Sequence, residues 1–216
     1  MVQEATPKPQ RGITRDPERT RAAILAAATQ EFTINGLTGA RVDAIAQRAR
    51  VNKRMIYHYF GDKDGLYLAV LEATYRSIRA AELDLHLTER DPVDGMRELI
   101  LFTWRYFLAH PEFLSLLGTE NLHKAAHLKR SRRIRELHSP LTGMISALLE
   151  RGVKARVFRA GVDPVELYIT IAALGFFYLS NRHTLSTIFG RDLAARKNIA
   201  AREQHIVDVV LGYLKR

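Results

Sequence analysis

The chain has 216 residues, of which 47% are hydrophobic, enough to bury the core of one large domain or two small ones. Its formal net charge is +10, a balance that favours a polyanionic partner such as nucleic acid and also fits an anionic membrane surface. It has no cysteine, which excludes disulfides, thiol catalysis and the usual Cys-based zinc sites.

No apolar run follows the N-terminal charges, so no secretory signal is expected. The longest apolar stretch, Leu167 to Leu179, is broken by Thr170 and Gly175 and is shorter than the ~18–20 residues a bilayer span needs. A soluble, cytoplasmic protein with no membrane segment is the expectation.

Residues 1–15 hold Pro7, Pro9 and Gly12 and little apolar content, and read as a flexible basic arm. Lys8, Arg11 and Arg15 either brush DNA phosphates or belong to a tail that happens to be basic. Asp16-Pro17-Glu18 starts a helix: Asp caps, Pro suits the first helical position, and Glu complements the positive end of the dipole. Ile24, Leu25, Ala28 and Phe32 form its core stripe up to a stop at Asn35-Gly36, and Leu37 to Ala40 is a short connection.

Arg41 to Phe60 reads as two short helices with a turn between them. Val42, Ile45, Ala46 and Ala49 make one apolar stripe, Arg50-Val51-Asn52 interrupts it, and Asn52 is a good N-cap for a helix from Lys53 to about Tyr59. At roughly 100° per residue, Ile56, Tyr59 and Phe60 gather on one side of that helix. Arg54, Tyr57 and His58 gather on the other, with Lys53 and Met55 on the flanks. A cationic, aromatic face with donors of several lengths suits a phosphate-lined groove with base edges at its floor. It is equally the solvated face of an ordinary amphipathic helix. Asp62 then caps a longer helix using Leu66, Ala69, Val70, Ala73 and Ile78.

Phe32-Thr33-Ile34-Asn35-Gly36, Val42-Asp43-Ala44-Ile45-Ala46, the run Val51 to Phe60 and Asp62-Lys63-Asp64-Gly65-Leu66 together resemble the N-terminal DNA-binding domain of the TetR family. The match covers about residues 16–70 without gaps. The resemblance implies a homodimeric one-component regulator without a cofactor. Its helix-turn-helix would bind double-stranded operator DNA, and an all-helical C-terminal domain would dimerise and sense a small-molecule effector. Carried over position by position, the DNA contacts are Asn52, Lys53, Arg54, Met55, Tyr57, His58 and Lys63. The chain departs from the family in two places. Arg50 stands in the turn where many relatives have Gly, which enters the left-handed region more easily. Ala40-Arg41 stands where relatives tend to have a Thr or Ser pair, so Thr38 is the substitute cap and Arg41 the substitute phosphate contact.

Asp91-Pro92 starts the second half, with Val93, Met96, Leu99, Ile100, Thr103 and Phe107 at helical spacing. Pro111 opens the next helix, with Phe113, Leu114, Leu116 and Leu117. A helix from about Lys129 to Arg151 continues past Pro140, kinked near it, and is ended by Gly152. After a turn-rich piece, Asp163-Pro164 starts a helix to about Ser180 that is apolar nearly all round, as expected for one buried on more than one side. The last helix places Ile206, Val209, Val210, Tyr213 and Leu214 on one stripe. The segments at about 164–186 and 202–214 would form a four-helix bundle with the same two from a twofold mate.

No enzyme motif is present. His123 and His127 have the spacing of two metal ligands on a helix face, but without the Glu of a zinc hydrolase a satisfied or solvated pair is the reading, and no metal site is assigned. The basic run Lys129–Arg135 is a solvated helix end or a second contact with DNA or membrane. The aromatics Trp104, Phe107, Phe176 and Phe177 are core on their own showing; the resemblance makes them ligand-cavity candidates together with Thr103, Asn121, Met144, Leu148 and Asn181.

The expected architecture is all-α: an arm at 1–15, a three-helix DNA-binding domain at 16–62 with its helix-turn-helix at 41–60, a connecting helix at 63–80, and a larger ligand-binding and dimerisation domain at 81–216. The expected function is a ligand-responsive transcriptional regulator, a repressor released from its operator by a small molecule. An activator of the same architecture, a helical small-molecule-binding protein without DNA, and a peripheral membrane protein are the alternatives.

Overall fold

The computed structural model describes residues 16–216; the arm expected at 1–15, with Lys8, Arg11 and Arg15, lies outside them. The described residues are helical with no strand. In chain order the helices are α1 (Pro17–Gly39), α2 (Val42–Ala49), α3 (Lys53–Phe60), α4 (Lys63–Leu83), α5 (Pro92–Ala109), α6 (Pro111–Leu122), α7 (Arg132–Lys154), α8 (Pro164–Ser180), α9 (Arg182–Ile188) and α10 (Arg196–Leu214).

The Asp-Pro starts behave as capping chemistry predicts. Asp16, Asp91 and Asp163 each accept the backbone N–H two residues on, from Glu18, Val93 and Val165. Gly36 leaves helical geometry at φ 63° and ψ −179°, so the expected stop is a break inside α1, after which the chain continues to Gly39.

Several boundaries differ from expectation for identifiable reasons. α7 starts at Arg132, not Lys129, because the Ser131 hydroxyl accepts the Ile134 N–H and itself donates to Glu72. Pro140 lies inside α7, which runs on past Gly152 to Lys154. Gly152 does not end the helix: a Cβ there would lie 1.9 Å from the Phe158 ring, so its role is to admit that side chain. The segment expected to run through residue 186 divides at Asn181, which caps α8 ahead of the separate α9. On α10 the buried stripe is Ile206, Val207, Val210, Leu211 and Leu214, while Val209 and Tyr213 face outward.

One contiguous core joins both halves of the chain. α1 packs on α2, α4 and α6, and α4 continues onto α7. Tyr67 of α4 meets Phe32 of α1 edge-on at 5.0 Å between centroids, and His127 at 4.9 Å. The Ser115 hydroxyl of α6 donates to the Thr33 carbonyl of α1. The N-terminal helices are therefore fastened to the larger helical body by polar as well as apolar contacts. Among the described residues no helix is long and apolar enough to cross a membrane.

Candidate nucleic-acid interface

The α2–α3 pair is set by its turn and its two entrances. Arg50 adopts the left-handed conformation, φ 55° and ψ 42°, and its N–H closes onto the Ala46 and Gln47 carbonyls. That is the geometry for which glycine is the usual residue, so an arginine here carries a steric cost. Two residues on, the Asn52 side chain accepts the Arg54 N–H at 2.9 Å and fixes the start of α3.

Thr38 does not cap α2. The Arg41 N–H at its entrance donates instead to the buried carboxylate of Glu31, at 3.2 Å. Glu31 also accepts from Asn35 Nδ2 at 2.9 Å, and Arg48 approaches its other oxygen at 3.8 Å. Sequence reasoning passed over Glu31. The available signal was an acid beside Phe32, at the edge of the apolar face of α1, where a buried carboxylate needs partners.

At the far end, Asp62 accepts the Gly65 N–H at 2.7 Å and starts α4. A Cβ at Gly65 would lie 2.2 Å from the Phe60 carbonyl oxygen, so only glycine allows α4 to follow α3 this closely. Arg21 of α1 lies over the Phe60 ring at 5.3 Å. α3 is thus clamped at both ends, with Ile56 fully buried beneath it.

Arg41, Asn52, Lys53, Arg54, Tyr57 and His58 are exposed, and Tyr57 keeps 44% of its surface in solvent. Met55 is half-buried and packs against the core, so its side chain belongs more to the support than to the outward face. Lys63 is half-buried and donates to the Thr38 carbonyl at 3.2 Å. Lys53 pairs with Asp43 Oδ1 at 2.7 Å. The hydrogen bond from Lys53, then its charge, holds the Asp43 carboxyl below the usual carboxylate range, and the same bond raises the Lys53 ammonium. The surface is a rigid cationic, aromatic helix face with one internal anion at its edge.

The residues expected to bind ligand do not gather in one cavity. Thr103, Trp104 and Leu148 are fully buried in packed core, and the Thr103 hydroxyl donates to the Leu99 carbonyl of its own helix. Phe107 and Phe176 line a cleft of about 300 Å³ between α5, α6 and α8. Met144 lines a separate cleft of about 270 Å³ between α4 and α7. Asn121 is exposed and donates to the Leu117 carbonyl; Asn181 donates to the Phe177 carbonyl, and Phe177 is 59% exposed.

His123 and His127 do not share a helix face. Lys124 and Ala125 between them have φ of 53° and 56°, which breaks the helix. His127 is buried with Nδ1 2.8 Å from Glu120, and His123 Nδ1 is 2.8 Å from the Thr119 carbonyl.

The family model described as bacterial regulatory proteins, tetR family, matches residues 24–70, and the model described as tetracyclin repressor-like, C-terminal domain, matches residues 92–210. The HTH-type transcriptional repressor NicS of Pseudomonas putida is 41% identical over 199 residues, 92% of this chain and 94% of the relative. The HTH-type transcriptional repressor SCO4008 of Streptomyces coelicolor is 37% identical over 143 residues, 64% of this chain and 69% of the relative. Among solved structures, the transcriptional regulator SCO4942 of Streptomyces coelicolor superposes with a TM-score of 0.68 at 26% identity, covering 90% of this chain and 98% of that one. The ketosteroid transcriptional regulator KstR2 of Mycobacterium tuberculosis does so with 0.68 at 19% identity, covering 95% and 98%, a likeness of fold alone.

Proposed function

This chain belongs to the TetR family of bacterial transcriptional regulators, and we propose that it is a cytoplasmic, dimeric repressor released from operator DNA by a small molecule. The observation that carries the DNA-binding part is the α3 face. Arg54, Tyr57 and His58 are exposed on a helix whose other side and both ends are fixed by Ile56, Asn52 and Gly65. In this reading α3 enters the major groove. Arg41, Lys53, Arg54 and Lys63 contact phosphates, and Asn52, Met55, Tyr57 and His58 position the helix and read base edges or thymine methyls. The names of the two similar repressors favour repression over activation.

The dimer surface is assigned to α8 and α10. Val165, Ile169 and Phe177 of α8 and Val209 and Tyr213 of α10 are large apolar side chains left in solvent on helices that pack on each other. A twofold bundle of these helices would cover them and place two α3 helices in successive major grooves, ~34–36 Å apart or a little more. An effector acts by binding better to a conformation in which that separation is wrong. α4 is the natural lever, since it begins at Lys63 beside α3 and ends at Leu83 against α7.

The test is fluorescence anisotropy of the purified protein on DNA from its own promoter, across salt concentrations. Binding to one segment with a steep negative salt slope, by a species of dimer mass, is the expected result. A response flat in both salt and sequence would favour a helical small-molecule-binding protein with an incidental basic surface.

A further inference from the structure

The positive charge of the chain is not gathered at α3 alone. Arg97, Arg156, Lys215 and Arg216 line one groove of about 620 Å³ between the start of α5, the turn after α7 and the end of α10. This groove lies away from the candidate DNA contacts. From its start beside α3, α4 spans 21 residues, about 31 Å at ~1.5 Å per residue. Just past its other end, Arg151 of α7 donates to the Leu87 and Thr88 carbonyls, which sets the turn after α7 beside the start of α5. The groove cations therefore lie about one length of α4 from α3 and serve a different contact.

All four side chains are exposed, and among the described residues none of them makes a hydrogen bond or an ion pair. Asp208 is the one acidic side chain on the groove wall, and it accepts from Gln204 Nε2 of its own helix at 2.8 Å. Even with a terminal carboxylate counted at Arg216, the groove keeps a surplus of two positive charges. Solvated cations cost nothing by themselves; what is specific is their convergence on one groove with an apolar floor of Val93, Val157 and Leu211.

The negative end of the α10 dipole accounts for Lys215 and Arg216. It does not account for Arg97, in the first half of α5, or for Arg156. Arg156 is held in the left-handed region at φ 60°, a costly conformation for a residue with a Cβ. The turn that holds it is fixed: the Val157 and Phe158 N–H groups both donate to the Gly152 carbonyl, and the Phe158 ring occupies the space of a Gly152 Cβ. On α10, Asp208, Leu211 and Lys215 lie roughly 130° around the helix from Val209 and Tyr213 at ~100° per residue. A dimer formed through Val209 and Tyr213 leaves the groove open.

A surplus of two charges beside apolar surface selects a ligand class. A monocarboxylate meets one charge, inorganic phosphate leaves the floor in water, and a neutral apolar molecule uses none of the cations. A phosphate monoester carries about −1.5 to −2 charges at neutral pH, with oxygens that match guanidinium forks. We propose that this groove binds a phosphate monoester with an apolar body, the phosphate on Arg97, Arg156 and Lys215 and the body on Val157 and Leu211. A soluble organic phosphate and the headgroup of phosphatidic acid both offer this chemistry. The groove shares no residue with the α3 face, so the proposal stands or falls separately from the DNA-binding reading.

Naphthyl phosphate, naphthoate, naphthol and inorganic phosphate are titrated into the full-length protein by ligand-observed NMR at millimolar concentration. Naphthyl phosphate is expected to bind at least about tenfold tighter than each of the others. Arg97→Ala combined with Arg156→Ala is expected to weaken it by at least about tenfold with the melting temperature kept, since both side chains are exposed and unpaired. Val157→Asp, which puts a carboxylate on the floor, is expected to abolish binding. Lys129→Ala combined with Arg130→Ala removes the same charge elsewhere on the surface and is expected to leave binding unchanged. Equal affinity for the probes, an equal loss in the two double variants, displacement of naphthyl phosphate by duplex DNA of unrelated sequence, or no binding at all would overturn the proposal. Flotation with phosphatidylcholine vesicles, with and without phosphatidic acid, separates the two sources. Flotation that needs phosphatidic acid and is lost with Arg97 and Arg156 assigns the lipid; no flotation, or flotation that survives their loss, assigns a soluble phosphate.

Discussion

Lys53 and Asp43 form an ion pair of 2.7 Å on the face that carries the candidate DNA contacts. The lysine that starts α3 is therefore not free to meet a phosphate without leaving an anion that lies at the same edge. Both groups are solvent-exposed, so the pair adds little to stability, and its consequence is for binding. Asp43→Asn is expected to tighten promoter binding by roughly threefold, with little change in melting temperature, because it removes both a competitor for Lys53 and a charge that repels phosphate. Anisotropy titrations at fixed salt check this; weaker binding would mean that the pair preorganises Lys53 instead.

Glu31 holds the entrance of α2 through the Arg41 N–H and ties it to Asn35 and Arg48. Glu31→Ala removes the shared acceptor of donors on residues that water can still reach, and is expected to cost about 0.5–1.5 kcal/mol of unfolding free energy. Urea denaturation measures it. DNA affinity should fall as well, since Arg41 loses the contact that orients it.

Arg50 makes opposite demands on stability and binding. Its left-handed backbone favours Arg50→Gly, which is expected to change stability by about +0.5 kcal/mol after the extra chain entropy of glycine is counted. If the exposed guanidinium meets phosphate, the same substitution weakens DNA binding and reduces the salt slope by about one. Denaturation and salt-dependent titration of one variant read both effects.

Burial pushes the Glu82 carboxyl up to about 7 against the pull of Arg79, from an ordinary 4.5. Between those values the native state retains a proton that the unfolded chain has released. Its stabilising contribution is therefore complete below about 4.5 and is lost as pH rises through 7. The loss is on the order of 3 kcal/mol at ~1.4 kcal/mol per pH unit. Wild-type stability should decline across this window, and Glu82→Gln should flatten the decline. Parallel curves for the two proteins would contradict it.

Much of the fold was legible because it is carried by local chemistry. The Asp-Pro starts, the Asn52 and Asp62 caps and the apolar stripes of α1 to α3 are contained in short windows of sequence, and each is found in place. What local chemistry could not supply were contacts across long separations. Glu31 caps α2 from ten residues away, Gly152 exists for Phe158, and Arg79 reaches Tyr168 on α8. The ligand residues were the least legible. Aromatics at helical spacing look the same whether they close a core, as Trp104 does, or line a cleft, as Phe107 and Phe176 do. Likewise Val209 and Tyr213 fit the apolar period of α10, and only packing shows that they lie outside its buried stripe.

The central claim is that the outward face of α3 reads DNA. Tyr57→Ala tests it most directly, because Tyr57 is 44% exposed and its removal leaves the Ile56 core and both caps untouched. Promoter retention in a gel shift should be lost while the protein keeps its dimer mass and melting temperature. Unchanged retention by an intact dimer would contradict the assignment of this helix.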